Sequence, residues 1–116
     1  MKYAEIELRL RKFKPSKKRH MHPTGMMYTN GVLYIINDCE LLWLVDAIAS
    51  FQQTPAIATD PGQWSWQSWE FQNVLCFFDR EKLSLQPLWS NLFLLVELQL
   101  LVIDGCLMLP SEAVGL

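Results

Sequence analysis

The 116-residue chain has no apolar run long enough to cross a bilayer. Its longest, residues 92–103, is twelve residues and carries Glu97 and Gln99, against roughly 20 apolar residues for a span. The first residues are charged and show no apolar stretch of a secretory leader, so a membrane partner is not expected. Cysteine is sparse: Cys39, Cys76 and Cys106 are odd in number, widely spaced and set among apolar neighbours. That pattern predicts reduced core thiols in a cytoplasmic protein and excludes a disulfide framework. No CxxC or Cys/His spacing suggests zinc. The only histidines, His20 and His22, fall in one loop with no third ligand at matching spacing, so no metal is expected. A catalytic base on such a loop is a poor partner for a Ser or Cys nucleophile. Gly31, Gly62 and Gly105 stand alone in turn contexts, and none belongs to a phosphate-cradling loop. Neither a cofactor nor a catalytic centre is predicted.

Positive charge is almost missing after residue 22. Eight of the ten Lys and Arg lie in residues 1–22 against Glu5 and Glu7, a net +6. Beyond them Arg80 and Lys82 face ten acidic residues, a net −8. Half of all residues are apolar and 12% aromatic, with five Trp, which suffices for one buried core in one domain. The chain therefore divides into a basic arm over 1–22 and a single acidic, aromatic-rich domain over 23–116.

Along the chain, residues 5–11 alternate strictly (Glu-Ile-Glu-Leu-Arg-Leu-Arg), which predicts a strand with Ile6, Leu8 and Leu10 on one face. Pro15, Pro23 and Gly25 mark the following stretch as a loop. Thr29 is placed to cap a short helix over Gly31–Ile36, and Asp38 to cap a second over 39–53, where Leu41, Leu44, Val45 and Ile48 recur at helical spacing. Pro55 and the run Thr59-Asp60-Pro61-Gly62 end it in a loop. Trp64 opens a strand-rich region. A strand over Trp69–Phe78 turns at 79–82 into a partner over 83–86, and Pro87 closes it. A helical turn fits 90–95, and Asp104-Gly105 predicts a hairpin between strands 96–103 and 106–109. The fold class expected is α+β, with two short helices packed on a four- to five-stranded, mainly antiparallel sheet. The arm strand would add an edge, open to pairing with a second copy.

Two stretches carry a more specific signal: Tyr28-Thr29-Asn30-Gly31-Val32 leading into residues 43–50 (Trp-Leu-Val-Asp-Ala-Ile-Ala-Ser), and the closing residues 104–112 (Asp-Gly-Cys-Leu-Met-Leu-Pro-Ser-Glu). Together they resemble a family of small bacterial proteins, a domain of unknown function common in cyanobacteria and often carried on plasmids or phages. That family shows a YTDGV start, a WLLDAIAS helix and a terminal LLLPSE strand in this order. The resemblance spans roughly 22–112 and implies a compact α+β domain with no established activity. Residues 87–93 depart from the family's middle turn, and the basic stretch 12–19 is this chain's own feature.

Three groups are candidates for function. Arg9, Arg11, Lys12, Lys14, Lys17, Lys18 and Arg19 form a basic patch suited to phosphates or an acidic protein surface, with Phe13 and His20 placed to stack on bases. Trp64, Trp66 and Trp69 alternate with polar residues and would form an interface patch if no layer covers them. Asp46 shares a helical face with Trp43 and Ser50; its carboxylate either fixes packing or serves a small pocket. The function expected is binding without catalysis, by an accessory protein of a mobile element or its bacterial host. The basic arm and the tryptophans would engage a protein or nucleoprotein partner. Direct nucleic-acid binding is the first alternative, and a small enzyme with a pocket near Asp46 the second.

Overall fold

A computed structural model describes the backbone of residues 3–53, 62–69, 72–77, 81–85 and 96–114, and side chains over 5–53, 62–66 and 98–114. In chain order the elements are α1 (Tyr3–Leu10), β1 (His20–Met21), β2 (Met27–Tyr28), α2 (Asn30–Asn37), α3 (Leu42–Gln52), β3 (Gly62–Trp69), β4 (Gln72–Phe77), β5 (Glu81–Leu85), β6 (Val96–Ile103) and β7 (Cys106–Met108), closed by a 3-10 turn at Pro110–Glu112. The strands form one sheet in the order β1-β2-β7-β6-β3-β4-β5. Among the described residues only β2 and β7 pair in parallel. The class is α+β, as expected. Five strands exceed two residues; β1 and β2 are two-residue additions at one edge.

Sheet register explains the core. Trp64 stands opposite Leu100, Trp66 opposite Leu98, and Val102 opposite Leu107. Because alternate residues share a face, these side chains form one apolar surface. Val32 and Ile35 of α2, with Leu44, Val45 and Ile48 of α3, cover it. Asp104 and Gly105 join β6 to β7 with φ of 53° and 72°. Two successive left-handed residues are what a two-residue hairpin turn needs, and Asp-Gly supplies them.

The first segment corrects the sequence expectation. Residues 3–10 are a helix, where alternation predicted a strand. Ile6 is buried, and Leu10 and Phe13 pack against the core, so the positions used are i, i+4 and i+7. Leu8, which a strand would have turned inward, is 61% exposed. Glu7 and Arg11 pair at 2.6 Å one helical turn apart. Residues 3–10 therefore offer no edge strand for a second copy.

A second correction lies between α2 and α3. Asp38 does not cap α3; its N–H donates to Tyr34 O and finishes α2. Glu40 precedes α3 with φ of 56°, and Leu41 N donates back to Ile35 O. Trp69 ends β3 opposite Gln72, so the aromatic stretch expected as one strand is divided between two. Of the loop expected at 59–62, Gly62 instead opens β3, and of the turn expected at 79–82, Glu81 and Lys82 belong to β5, so the partner strand expected at 83–86 begins two residues earlier. The loop around Pro55, the strand end at Pro87 and the helical turn at 90–95 lie outside the described residues. Among those described, no helix is long and apolar enough to cross a membrane.

Candidate functional site

The basic segment leaves α1 and runs without regular structure to β1. Both of its ends are held. At one end Phe13 packs on Tyr34, ring centroids 5.6 Å apart, and Arg9 lies over the same ring at 5.9 Å. At the other, His20 stacks on Tyr28 at 5.4 Å while its Nε2–H donates to Asn30 Oδ1 at 2.8 Å. In the middle, Lys18 N donates to Ser16 Oγ, and the Arg19 guanidinium donates to the carbonyls of Ser16 and Lys18. The result is a fixed loop, not a trailing arm.

That geometry sorts the cations. Arg9 is committed to Tyr34, Arg11 to Glu7, and Arg19 to main-chain carbonyls. Lys12, Lys14, Lys17 and Lys18 are exposed, and none has an ion-pair partner among the described residues. Phe13 and His20, placed by sequence to stack on bases, are instead used within the fold. This corrects the stacking role expected of them.

The tryptophan patch is also corrected. Trp64 and Trp66 are 0% and 1% exposed. Trp64 stacks on Phe51 and donates its indole N–H to Gln52 Oε1 at 2.8 Å. Trp66 meets Trp43 edge-on at 5.6 Å. The helical layer covers the face that alternation left open, so neither ring is available to a partner. The side chain of Trp69 lies outside the described residues. Trp43 Nε1 is buried without a hydrogen-bond partner.

Asp46 is paired with a histidine from the 22–26 turn. Its carboxylate is about half exposed and accepts from His22 Nε2 at 2.7 Å, while His22 itself is 8% exposed. On the far side of the ring, Thr24 N–H and Oγ1 approach Nδ1 at 3.2 and 2.9 Å. A backbone N–H only donates, so Nδ1 accepts and Nε2 carries the hydrogen. That proton order matches a general base oriented by a carboxylate. Both ring nitrogens are nevertheless occupied by the protein's own groups, and the geometry serves to pin the 22–26 turn against α3. Gln53 Nε2, donating to Thr24 O at 3.4 Å, adds to the same attachment. A groove of about 240 Å³ beside the turn is lined by Thr24, Ala49, Gln52 and Gln53, not by His22 or Asp46. Sequence placed His22 in a loop, and the structure adds that its ring is buried there. No local signal could have paired it with a carboxylate 24 positions away.

Glu112 forms the other polar cluster. It is 3% exposed and receives three donors: Thr29 Oγ1 at 2.5 Å, Leu109 N at 3.1 Å and Gly31 N at 3.1 Å. Thr29 holds the N-cap position of α2, but its hydroxyl turns away from that helix. The Glu112 carboxylate takes the N–H of Gly31 in its place. A Cβ on Gly31 would collide with Glu112 Oε1 and Leu109 Cδ1, which is why glycine stands there.

Burial pushes the Cys39 thiol up to about 11, with the Asp38 carboxylate adding to the rise. Burial also raises the Cys106 thiol. Both are poor nucleophiles at neutral pH. Below about pH 9 the Cys39 thiol is protonated whether the chain is folded or not, and it adds no pH dependence. Between about 9 and about 11 only the unfolded chain releases this proton, so stability falls as pH rises through that window. Melting curves from pH 8 to 11 should show a steeper loss for the parent than for Cys39→Ala; parallel losses would remove Cys39 as the cause. Among the described residues no three His, Cys, Asp or Glu side chains gather as a metal would require.

Comparison with curated proteins and with solved structures found no match. A family model does match, over residues 4–113, and takes in α1, both polar clusters and the closing hairpin. The chain belongs to this family, described as a family of unknown function (DUF6876).

Proposed function

We propose that this chain is a non-catalytic binding protein that attaches to an anionic face of a protein or nucleoprotein partner through the loop Lys12–Arg19. It would act as an accessory factor of a mobile element or its bacterial host, the setting implied by the sequence resemblance. One observation carries the proposal. Lys12, Lys14, Lys17 and Lys18 stand exposed and unpaired among the described residues, on a loop held at both ends by Phe13–Tyr34 and by His20 with Tyr28 and Asn30. Holding four like charges close together costs self-repulsion, which an anionic partner relieves. The loop is ordered before binding, so little conformational entropy remains to be lost on docking.

Retention on a heparin column tests this directly. The chain's net charge is −2, so bulk charge opposes retention and only a localised patch favours it. The parent should be retained at low salt, and the variant with all four lysines changed to alanine should pass through. Equal behaviour of the two would remove the loop as the binding element. The lysine side chains form no ion pair among the described residues and their removal relieves repulsion, so the variant should melt no lower than the parent.

A further inference from the structure

Resting on that assignment of the loop, we infer that its occupant is a nucleic-acid duplex, gripped through its phosphate backbone without regard to base sequence. The inference comes from which side chains are committed inside the fold and which are not. Base-specific reading of a duplex relies above all on arginine forks against guanine, and on Asn or Gln against adenine. The three nearby arginines are engaged by Tyr34, Glu7 and main-chain carbonyls, and Asn30 by His20. The arginines are exposed as well, but the cations with no ion-pair or hydrogen-bond partner for their side chains among the described residues are the lysines, compact point charges that suit a phosphate and lack the rigid fork with which arginine reads a base.

Single-stranded nucleic acid is normally held by aromatic side chains on which bases stack. Phe13 and His20, the two rings of this segment, already face Tyr34 and Tyr28. An acidic protein partner would call for buried apolar or aromatic anchors among the charges. From residue 14 to 19 the exposed surface is Lys, Pro, Ser and Arg, and the next large exposed apolar side chain along the chain is Met21. Six residue steps separate Lys12 from Lys18, a contour of at most about 20 Å. A duplex strand presents a phosphate about every 3.4 Å of its axis, dense enough to meet all four ammonium groups together.

The experiment is a fluorescence titration of the full chain with a mixed-sequence DNA duplex, a second duplex of unrelated sequence, one of the single strands, and polyglutamate. Four phosphate contacts predict a slope of log K against log salt near −3.6, so the duplex affinity should fall about 150-fold between 50 and 200 mM salt. Each single Lys→Ala change should lessen the slope by about 0.9. The two duplexes should bind alike, and the single strand more weakly. A strong preference for one duplex sequence, or for the single strand, overturns the duplex-backbone inference and leaves the loop as the binding element. Capture of polyglutamate without duplex does the same and turns the search to acidic proteins. Undiminished duplex binding by the four-lysine variant, or no binding of any polyanion, overturns this inference and the proposed function together.

Discussion

Replacing Glu112 by alanine is expected to cost about 3–5 kcal/mol of stability, a large share of what a domain of this size possesses. The carboxylate satisfies Thr29 Oγ1, Leu109 N and Gly31 N at once, in a site from which water is excluded. Truncation leaves those three donors buried without partners, and each unpaired polar group costs about 1–3 kcal/mol. Partial rearrangement around the gap keeps the total below the sum. Glu112→Gln separates charge from shape. Its amide oxygen can still serve Thr29 and Leu109, but an NH₂ then faces the N–H of Gly31, so an intermediate loss is expected. Gly31→Ala should be damaging for a different reason, since the added methyl occupies space held by Glu112 and Leu109. Urea unfolding of the three variants, with the slope checked for constancy, measures all of these. A loss below about 1 kcal/mol for Glu112→Ala would mean that water reaches the three donors and that the cluster is not a closed one.

That cluster also shows what kinds of information the sequence carried. The stretches around Tyr28–Val32 and Leu109–Glu112 drew notice together as a family resemblance, yet nothing in their own patterning joins Thr29 and Gly31 to a carboxylate more than 80 positions away. Local structure was legible where it is locally determined. The helix around Leu44, Val45 and Ile48 declares itself by its period, and Asp104-Gly105 by its left-handed turn. Residues 5–11 were ambiguous because two periods fit them. Ile6, Leu8 and Leu10 suit a strand, while Ile6, Leu10 and Phe13 suit a helix. Glu, Leu and Arg are good helix formers, and the Glu7–Arg11 pair exists only on the helix, which decides it. The site divides in the same way. The lysines of the loop could be named from composition alone. The attachment of His22 to Asp46 and the engagement of Phe13 and His20 depend on which elements meet in space.

Trp66→Ala is expected to cost about 3–5 kcal/mol while leaving binding through the basic loop unchanged. From sequence, Trp66 was an interface candidate provided that no layer covered it, and truncation of a surface aromatic scarcely alters folding. In the structure it is fully buried opposite Leu98, with Trp43 edge-on against it. Removing an indole from that position leaves a void that the sheet on one side and α3 on the other cannot readily close. Trp64→Phe provides the milder comparison. It keeps an aromatic ring to stack on Phe51 but loses the bond to Gln52 Oε1, and an effect of about 1–2 kcal/mol is expected from the lost hydrogen bond and smaller ring. The two roles predict opposite patterns across two assays. A core residue lowers the urea midpoint and, once conditions keep the variant folded, leaves polyanion affinity intact. A contact residue leaves the midpoint alone and weakens binding. If Trp66→Ala unfolds at the parent's midpoint, the helical layer does not cover this face of the sheet, and the aromatic patch returns as the place where a partner docks.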